Sequence, residues 1–277
     1  MPYFIIKKLK ESLGFGDTKK LSTNRFNPRG HVVVRSGTVR NGIGEVIFEK
    51  DNKITLAGAG FLSSAMFNFT NPEITPNYNN ALNLDNVINT SFPENAIKTC
   101  LFAVGTDGCG TENSQVFDED YSHWIDEAHI VPFQYRPINK DLSYTQRKNI
   151  YFGRKSLGSY YAYYFKAFDQ QPVRTQQYTD GTPIDSTVYK TVSPFQVQTI
   201  VNMQMSVTPD DCRDYFIETT GINDARINSI SLCAAWYKQI GAYRVYQDIR
   251  PMTRLNFPNE CLIDLNKGIT INYSVYF

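Results

Sequence analysis

The chain has 277 residues, a formal net charge of +1, 42% hydrophobic residues and 20% charged residues. This apolar content excludes an intrinsically disordered protein, and the sequence has no run of about 18 uncharged apolar residues that could cross a membrane as a helix. The balanced charge argues against a protein whose main task is to grip a nucleic acid backbone, because such proteins carry a clear excess of cations.

The residue types that are over-represented favour strands and turns. The chain contains 18 Tyr, 18 Phe, 17 Gly and 13 Pro. Aromatic side chains suit a pleated, half-buried surface, whereas Gly and Pro suit turns. The composition therefore predicts an all-β protein.

The N-terminal residues 1–29 differ from the remainder, and we expect one β domain to follow over residues 30–277. Ile5, Ile6, Leu9 and Leu13 recur at near-helical spacing, and a polar linker follows them. Three interpretations stay open: an arm that docks on a neighbouring subunit, a terminal helix packed on its own domain, or a helix on a membrane surface. The apolar face is too short for firm membrane binding.

The first half of the domain alternates between predicted strands and loops. A strand is predicted at residues 31–39, a hairpin at residues 43–56 with its turn at Asp51-Asn52, and a helix at residues 57–69. Residues 71–95 are rich in Asn and Pro and are predicted to form a long surface loop. Residues 96–110 predict a buried strand that ends in a glycine turn.

The second half has the clearest strand patterns. Residues 195–208 alternate between apolar and polar side chains, as expected for a half-buried antiparallel strand whose polar face is either solvated or covered by another subunit. Residues 227–239 and 269–277 are also predicted strands, and the last one implies that the C-terminus is tied into a sheet. Residues 169–190 are predicted to form a second long loop, with a turn at Asp180-Gly181.

The cysteines and the acidic residues offer few chemical motifs. The five cysteines lack CxxC spacing and are predicted to be buried free thiols in a reducing compartment. An acidic run between residues 118 and 129 has three interpretations: a solvated surface, a structural cation site, or catalytic carboxylates. Asp118, Asp120 and His123 are weak candidates for metal ligands, and we expect no cofactor.

Catalytic signatures are missing, so we expect a protein that is not an enzyme. No G-x-S-x-G motif occurs, and GTDGCG at residues 105–110 lacks the following helix and Lys of a phosphate loop, so we interpret it as a turn leaving a strand. Seven arginines are interleaved with aromatic residues, which suggests either a nucleic acid face or, as we prefer, structural salt bridges and subunit contacts. These are Arg136, Arg147, Arg154, Arg174, Arg244, Arg250 and Arg254.

Four segments, taken in order, resemble a β-sandwich module of tailed-bacteriophage virion proteins, which occurs in tail, neck, collar and baseplate parts. The segments are NKITLAGAGFLSSAMFNF, LFAVGTDGCGTENSQVFDED, INSISLCAAWY and RPMTRLNFPNECLIDLNKGITINYSVYF. The acidic residue that often precedes the apolar strand of the third segment is Asn228 or Ser229 here. The composition also suits a phage with an AT-rich genome, such as a crAss-like phage.

The resemblance implies an antiparallel β-sandwich with one or two short helices, an extended N-terminal arm and a structural role. Such modules form rings or sleeves, with no catalytic residues, and contact neighbours through strand edges, loops and terminal arms. We therefore expect a homo-oligomer that also contacts other virion proteins, is located in the virion and assembles in the host bacterial cytoplasm. It would contact neither membrane nor, except for DNA in passage, nucleic acid. The expected interface residues are Tyr3, Phe4, Ile5, Ile6 and Leu9, together with the loop at residues 72–76.

Two other functions remain as alternatives. A receptor- or glycan-binding β-sandwich would use an exposed aromatic residue, and Trp124 is the candidate because Trp236 lies in a core-like strand. A glycan hydrolase would use carboxylates such as Asp118 and Asp120. Hydrolysis, however, requires two carboxyl groups about 5 to 9 Å apart across the substrate.

Overall fold

The computed structural model of the chain describes residues 29–37, 45–54, 82, 84–85, 97–111, 115–118, 128–178, 197–221, 225–262 and 268–276. The predicted helix at residues 57–69, the N-terminal residues 1–28 and the Asp180-Gly181 turn lie outside the described residues. The elements below therefore belong to the predicted domain of residues 30–277, apart from Arg29, which opens the first strand.

Twelve strands and two short α-helices make up the described part of the chain. The strands of the first half are β1 (Arg29–Gly37), β2 (Glu45–Ile54), β3 (Ile97–Gly105), β4 (Ile130–Val131) and β5 (Gln134–Pro137). They are followed by β6 (Tyr151–Leu157), β7 (Tyr160–Ala167), β8 (Val173–Tyr178), β9 (Val197–Val207), β10 (Arg226–Ile240), β11 (Tyr243–Cys261) and β12 (Gly268–Tyr276). The helices are α1 (Tyr144–Asn149) and α2 (Arg213–Thr219).

The strands form two antiparallel sheets that pack as the layers of a sandwich, so the predicted all-β sandwich with short helices is confirmed. The first sheet has the order β2-β1-β12-β9-β8, and the second has the order β11-β10-β3-β7 with β5 and β6 paired to β7. The sheets are joined where Ile54 of β2 pairs with Thr253 of β11. Within the described residues, no helix is long and apolar enough to span a membrane.

The main core lies between the two sheets. The first sheet contributes buried side chains that alternate along the strand, as the sequence predicts: Met203, Met205 and Val207 on β9, and Ile269 and Ile271 on β12. Because β12 lies between β1 and β9, the predicted anchoring of the C-terminal strand is confirmed. The second sheet contributes Phe102, Ile230, Leu232 and Phe257, among others.

The second sheet is buried on its other face as well. A second cluster contains Leu101, Ala103, Cys233 and Ala235, which alternate with the residues of the main core. A strand covered on both faces is apolar at successive positions rather than at every second one. This explains why INSISLCAAWY shows no alternation between apolar and polar residues.

Part of the predicted loop at residues 71–95 belongs to this second core. Leu82 is buried there and Leu84 packs against the cluster. The backbone N–H of Asp85 donates to the carbonyl of Arg154 on β6 at 2.7 Å. The described residues of this segment therefore cover part of the outer edge of β6. The composition of the segment did not indicate this position, because its contacts are with residues distant in sequence.

Two other local predictions differ from the structure. The hairpin predicted at residues 43–56 is wrong, because β2 runs through this segment as a continuous strand. Asp51 and Asn52, the predicted turn residues, pair instead with His31 and Gly30 of β1. The first part of the predicted loop at residues 169–190 is strand β8, held by six residue pairs with β9. The sequence of β8 is mostly polar and shows no alternation of apolar and polar residues, so it did not predict a strand. An edge strand can form without such a pattern, because backbone hydrogen bonds supply most of its stability.

Between β3 and β7 the second sheet opens into a fork. The two strands pair at Leu101↔Ala167 and Phe102↔Lys166, and then separate. Residues 130–137 fill the gap, because β4 pairs with β3 while β5 pairs with β7. The fork brings polar residues of β5 and β7 into the interior.

The four cysteines whose side chains are described, Cys100, Cys109, Cys212 and Cys233, are free thiols. Cys109, Cys212 and Cys233 are buried, and Cys100 is partly buried. Burial raises the pKa of the Cys100 thiol to about 12. These cysteines therefore behave as small hydrophobic residues, as predicted.

Two glycines with positive φ provide a test of core packing. Gly153 (φ +67°) faces the Phe165 ring, with which an added Cβ would collide, whereas Gly158 (φ +59°) has open space around it. We expect Gly158→Ala to lower the free energy of unfolding by about 1 kcal/mol, the cost of a left-handed backbone for a non-glycine residue. Gly153→Ala adds overpacking and should cost about 3 kcal/mol in total. Urea unfolding measures both, and equal losses would contradict the described contact between residue 153 and Phe165.

Candidate functional site

Three of the four segments that carry the phage resemblance meet at the end of β3. The backbone N–H of Gly108 donates to Oδ1 of Asn228 on β10 at 2.7 Å. Nδ2 of Asn228 donates to the carbonyls of Thr106 (3.2 Å) and Cys109 (3.3 Å), and to Oδ1 of Asn259 (2.9 Å). A single buried amide therefore fastens the GTDGCG turn to β10 and β11.

The turn requires glycine at residue 108 for a packing reason. A Cβ at this position would collide with the backbone oxygen of Asn228. The Gly108 N–H is also occupied by the Asn228 side chain, so it does not face an open anion site. The segment is thus a turn that leaves a strand, as the sequence analysis favoured, and not a phosphate cradle.

A buried arginine secures the same turn from β11. Arg254 is 6% exposed, and its Nη2 lies 3.0 Å from Oδ1 of Asp107. Its Nε donates to Oδ1 of Asn256 at 2.9 Å, and Ser229 Oγ donates to Asp107 Oδ1 at 2.9 Å. Asn256 Nδ2 in turn donates to the carbonyl of Phe117 at 3.0 Å. A buried charge needs such partners to offset its lost hydration, so this network has a structural role.

The fork between β3 and β7 holds a second buried ion pair. Nζ of Lys166 lies 2.6 Å from Oδ2 of Asp211, and the two residues are 4% and 1% exposed. Oδ1 of Asp211 accepts from the Tyr151 hydroxyl (2.8 Å) and from Nε2 of Gln134 (3.1 Å). Its Oδ2 also accepts from the N–H and the hydroxyl of Thr208, each at 2.8 Å. Five donors therefore surround one carboxylate.

The thiol and the phenol beside Asp211 are held in their neutral forms. Burial, and then the Asp211 charge, raise the pKa of the Cys212 thiol well above its ordinary value. The same two causes raise the pKa of the Tyr151 hydroxyl. Activated nucleophiles have lowered pKa values instead. The arrangement suits a structural cluster that orders the start of α2.

The predicted metal and glycan residues are only partly described. Asp118 is exposed, while Asp120, His123 and Trp124 lie outside the described residues. Within the described ranges, no three His, Cys, Asp or Glu residues form a group that could hold a metal ion. Trp236 is half-buried in β10 between β3 and β11. The metal and glycan hypotheses therefore remain predictions.

Five of the seven arginines singled out in the sequence have carboxylate partners. The pairs are Arg136–Asp214, Arg147–Asp141, Arg154–Asp85, Arg250–Asp248 and Arg254–Asp107. This fits the preferred interpretation of these residues as structural. Arg244 has no carboxylate partner among the described residues, and the Arg174 side chain lies outside the described part of the chain.

The expected interface residues Tyr3, Phe4, Ile5, Ile6 and Leu9 lie outside the described residues. One strand edge of the described part of the chain is unpaired. Strand β8 is the last strand of the first sheet and pairs on one side with β9. No other described strand pairs with its second side. Val173, at its start, is 54% exposed. The sequence signal for this edge was weak, because the segment lacks an apolar pattern.

Comparisons of the chain with models of protein families, with curated proteins and with solved structures find no match in any of the three. The function must therefore be inferred from the residues of the chain itself.

The two buried networks predict different costs for similar substitutions. Asp211→Asn leaves Lys166 buried without a charged partner and should lower the free energy of unfolding by about 3–5 kcal/mol. Asp214→Asn removes the half-exposed pair with Arg136 and should cost at most about 1 kcal/mol. Urea unfolding at neutral pH compares the two variants. A similar small cost for both would show that the Asp211 carboxylate is not an essential buried partner.

The turn at residues 105–110 gives a second matched pair. Asn228→Ala leaves the Gly108 N–H and nearby carbonyls without partners and should cost about 2–3 kcal/mol. Asn202→Ala removes an exposed amide that accepts one hydrogen bond from Ser274, and should change stability by less than about 0.5 kcal/mol. Hydrogen exchange should show faster exchange of the Gly108 amide only in the Asn228 variant. Unchanged protection in that variant would contradict the assigned role of this side chain.

Proposed function

We propose that the chain is a structural subunit of a tailed-bacteriophage virion, a ring, collar, tail or baseplate component that assembles with copies of itself and bridges neighbouring virion proteins. The proposal rests on the four segments that resemble such modules. It is supported by the way three of them join in one buried network around Asn228 and Arg254. In this proposal the chain is not an enzyme, and it acts within the virion after assembly in the bacterial cytoplasm.

The observation that carries the assembly part of the proposal is the edge of β8. An edge strand presents a row of N–H and C=O groups that a strand of another chain can pair with. The β6 edge of the second sheet is partly covered, since the backbone N–H of Asp85 donates a hydrogen bond to the outer side of β6. β8 has no such cover among the described residues and carries an exposed valine, so it offers an edge that suits a neighbour.

Rings impose a further requirement that this chain can meet. A ring is built from two different surfaces on each subunit, which join head to tail until the rotation closes. The β8 edge supplies one surface. The N-terminal residues Tyr3, Phe4, Ile5, Ile6 and Leu9 are the proposed second one, because a short apolar strip can pair with an open edge through backbone and side-chain contacts.

Mass photometry of the full chain tests this proposal. We expect a discrete multimer. Val173→Lys places a charge on the β8 edge and should lower the association constant about tenfold, equivalent to about 1.4 kcal/mol. The substitution Ile6→Asp should also weaken assembly.

The matched control is Ile217→Lys, which charges a similarly exposed apolar residue (47% against 54% exposed) on α2, a helix that packs against β5 of the second sheet. It should assemble like the unmodified chain. A chain that stays monomeric at all concentrations, or Val173 and Ile6 variants that assemble normally, would overturn the proposed homo-oligomeric role.

A further inference from the structure

A cationic cavity lies between α1, β6 and β11, away from the β8 edge. Its volume is about 370 Å³. Four cations line it: Arg147, Lys148, Arg154 and Arg244. Asp85 is the one carboxylate among the described residues that line it. Aromatic side chains, including Tyr144, Phe152 and Tyr246, form much of the remaining wall.

The local sequence explains how α1 brings two of these cations to the cavity. Ser143 and Gln146 form a capping box: the Gln146 N–H donates to Ser143 Oγ at 3.3 Å, and the Ser143 N–H donates to Gln146 Oε1 at 3.0 Å. This cap starts the helix just before Arg147 and Lys148. Arg244 lies near the start of β11 and lines the cavity from that strand.

The cations of the cavity outnumber their carboxylate partners. Arg154 lies 3.5 Å from Asp85, and Arg147 lies 3.4 Å from Asp141. Lys148 and Arg244 have no carboxylate partner among the described residues, so two positive charges are not balanced there. Like charges held together repel each other unless an anion lies between them. The cavity is therefore electrostatically suited to an anionic ligand.

Arg147 supplies an independent sign that an acceptor is missing. Its Nε is buried and has no hydrogen-bond partner. Buried donors are normally paired, and an unpaired one is destabilising. The Arg147 guanidinium also lies 5.9 Å from the centre of the Tyr144 ring, and Tyr144 is 51% exposed. The unpaired Nε donor of Arg147 and the accessible ring of Tyr144 are therefore close enough to contact one ligand.

We propose that this cavity binds an oxyanion group, a phosphate or a carboxylate, carried by a small molecule that also contains a ring. Arg147, Lys148 and Arg244 bind the anion, because ammonium and guanidinium groups form charge-assisted bonds with oxyanions, and those of guanidinium are often bidentate. Tyr144 provides the surface on which the ring of the ligand packs. The volume lies in the usual range of small-molecule sites, about 300–1,000 Å³.

Nucleotides and acidic sugars share this chemistry, and the probes separate them. Isothermal titration of the full chain at low salt uses inorganic phosphate, AMP and N-acetylneuraminic acid as anionic probes. Adenosine and the methyl ester of N-acetylneuraminic acid are the neutral counterparts. We expect at least one anionic probe to bind with a Kd of about 1 mM or tighter, and at least tenfold more tightly than its neutral counterpart. The better anion identifies the source of the ligand.

Substitutions assign the binding to the cavity. Lys148→Gln and Arg244→Gln should each weaken the anion about tenfold, and neither breaks an ion pair with a described residue. Lys140→Gln, an exposed lysine outside the cavity lining, is the matched control and should bind normally. Tyr144→Ala should weaken the ring-bearing probe but not inorganic phosphate. Circular dichroism confirms that each variant is folded.

Three results would overturn the proposal: no anionic probe with a Kd of about 1 mM or tighter, neutral probes that bind as well as the anions, or Lys148 and Arg244 variants with unchanged affinity. If the Tyr144 variant binds AMP and the acidic sugar with unchanged affinity, the proposed packing of a ligand ring on Tyr144 is wrong. These outcomes are independent of the assembly test, since the cavity and the β8 edge share no residue.

Discussion

The buried carboxylate of Asp211 is the interaction on which the arrangement of the second sheet depends. Its two oxygens accept five hydrogen bonds, which come from Gln134, Tyr151, Lys166 and Thr208. The first three residues belong to β5, β6 and β7, and Thr208 directly follows β9, so the carboxylate joins both sheets at the fork. A charge buried this deeply is tolerated only when its partners are all in place. The Asp211 carboxylate therefore holds the fork, residues 130–137 and the start of α2 in one arrangement.

A second polar network lies where the chain leaves β3 and depends on amides as well as charges. Asn228 fastens the 105–110 turn, and Arg254 joins Asp107 to Asn256. Both networks lie at points where backbone leaves a sheet whose two faces are covered. Water is excluded from such points, so each backbone group that leaves the ladder must find a side-chain partner. This accounts for the concentration of Asn, Ser and Asp beside apolar strands.

The surfaces proposed for assembly and for anion binding both depend on how the outer edges of the two sheets are covered. The first sheet ends in β8, which no described strand covers, while the outer edge of β6 is partly satisfied by Asp85. Asp85 also partners Arg154 in the wall of the cationic cavity. The segment that bonds to the edge of β6 thus also helps to shape the cavity, whereas the β8 edge, which is unpaired among the described residues, is the one we propose for a neighbouring chain. The two proposed activities can therefore vary independently.

The sequence by itself determined the all-β class, the buried alternation of Met203 and Met205 and the anchoring of the final strand, because strand period and residue type are local properties. It also indicated that the GTDGCG segment is a turn. It did not predict β8, the uninterrupted β2 strand or the burial of Leu82, because their stability comes from backbone pairing and packing with distant residues. The Lys166–Asp211 pair and the joining of Arg147, Lys148 and Arg244 in one cavity were decided only by the tertiary structure. Charges separated by tens of residues meet only when strands find their partners, and one strand pattern is compatible with many pairings.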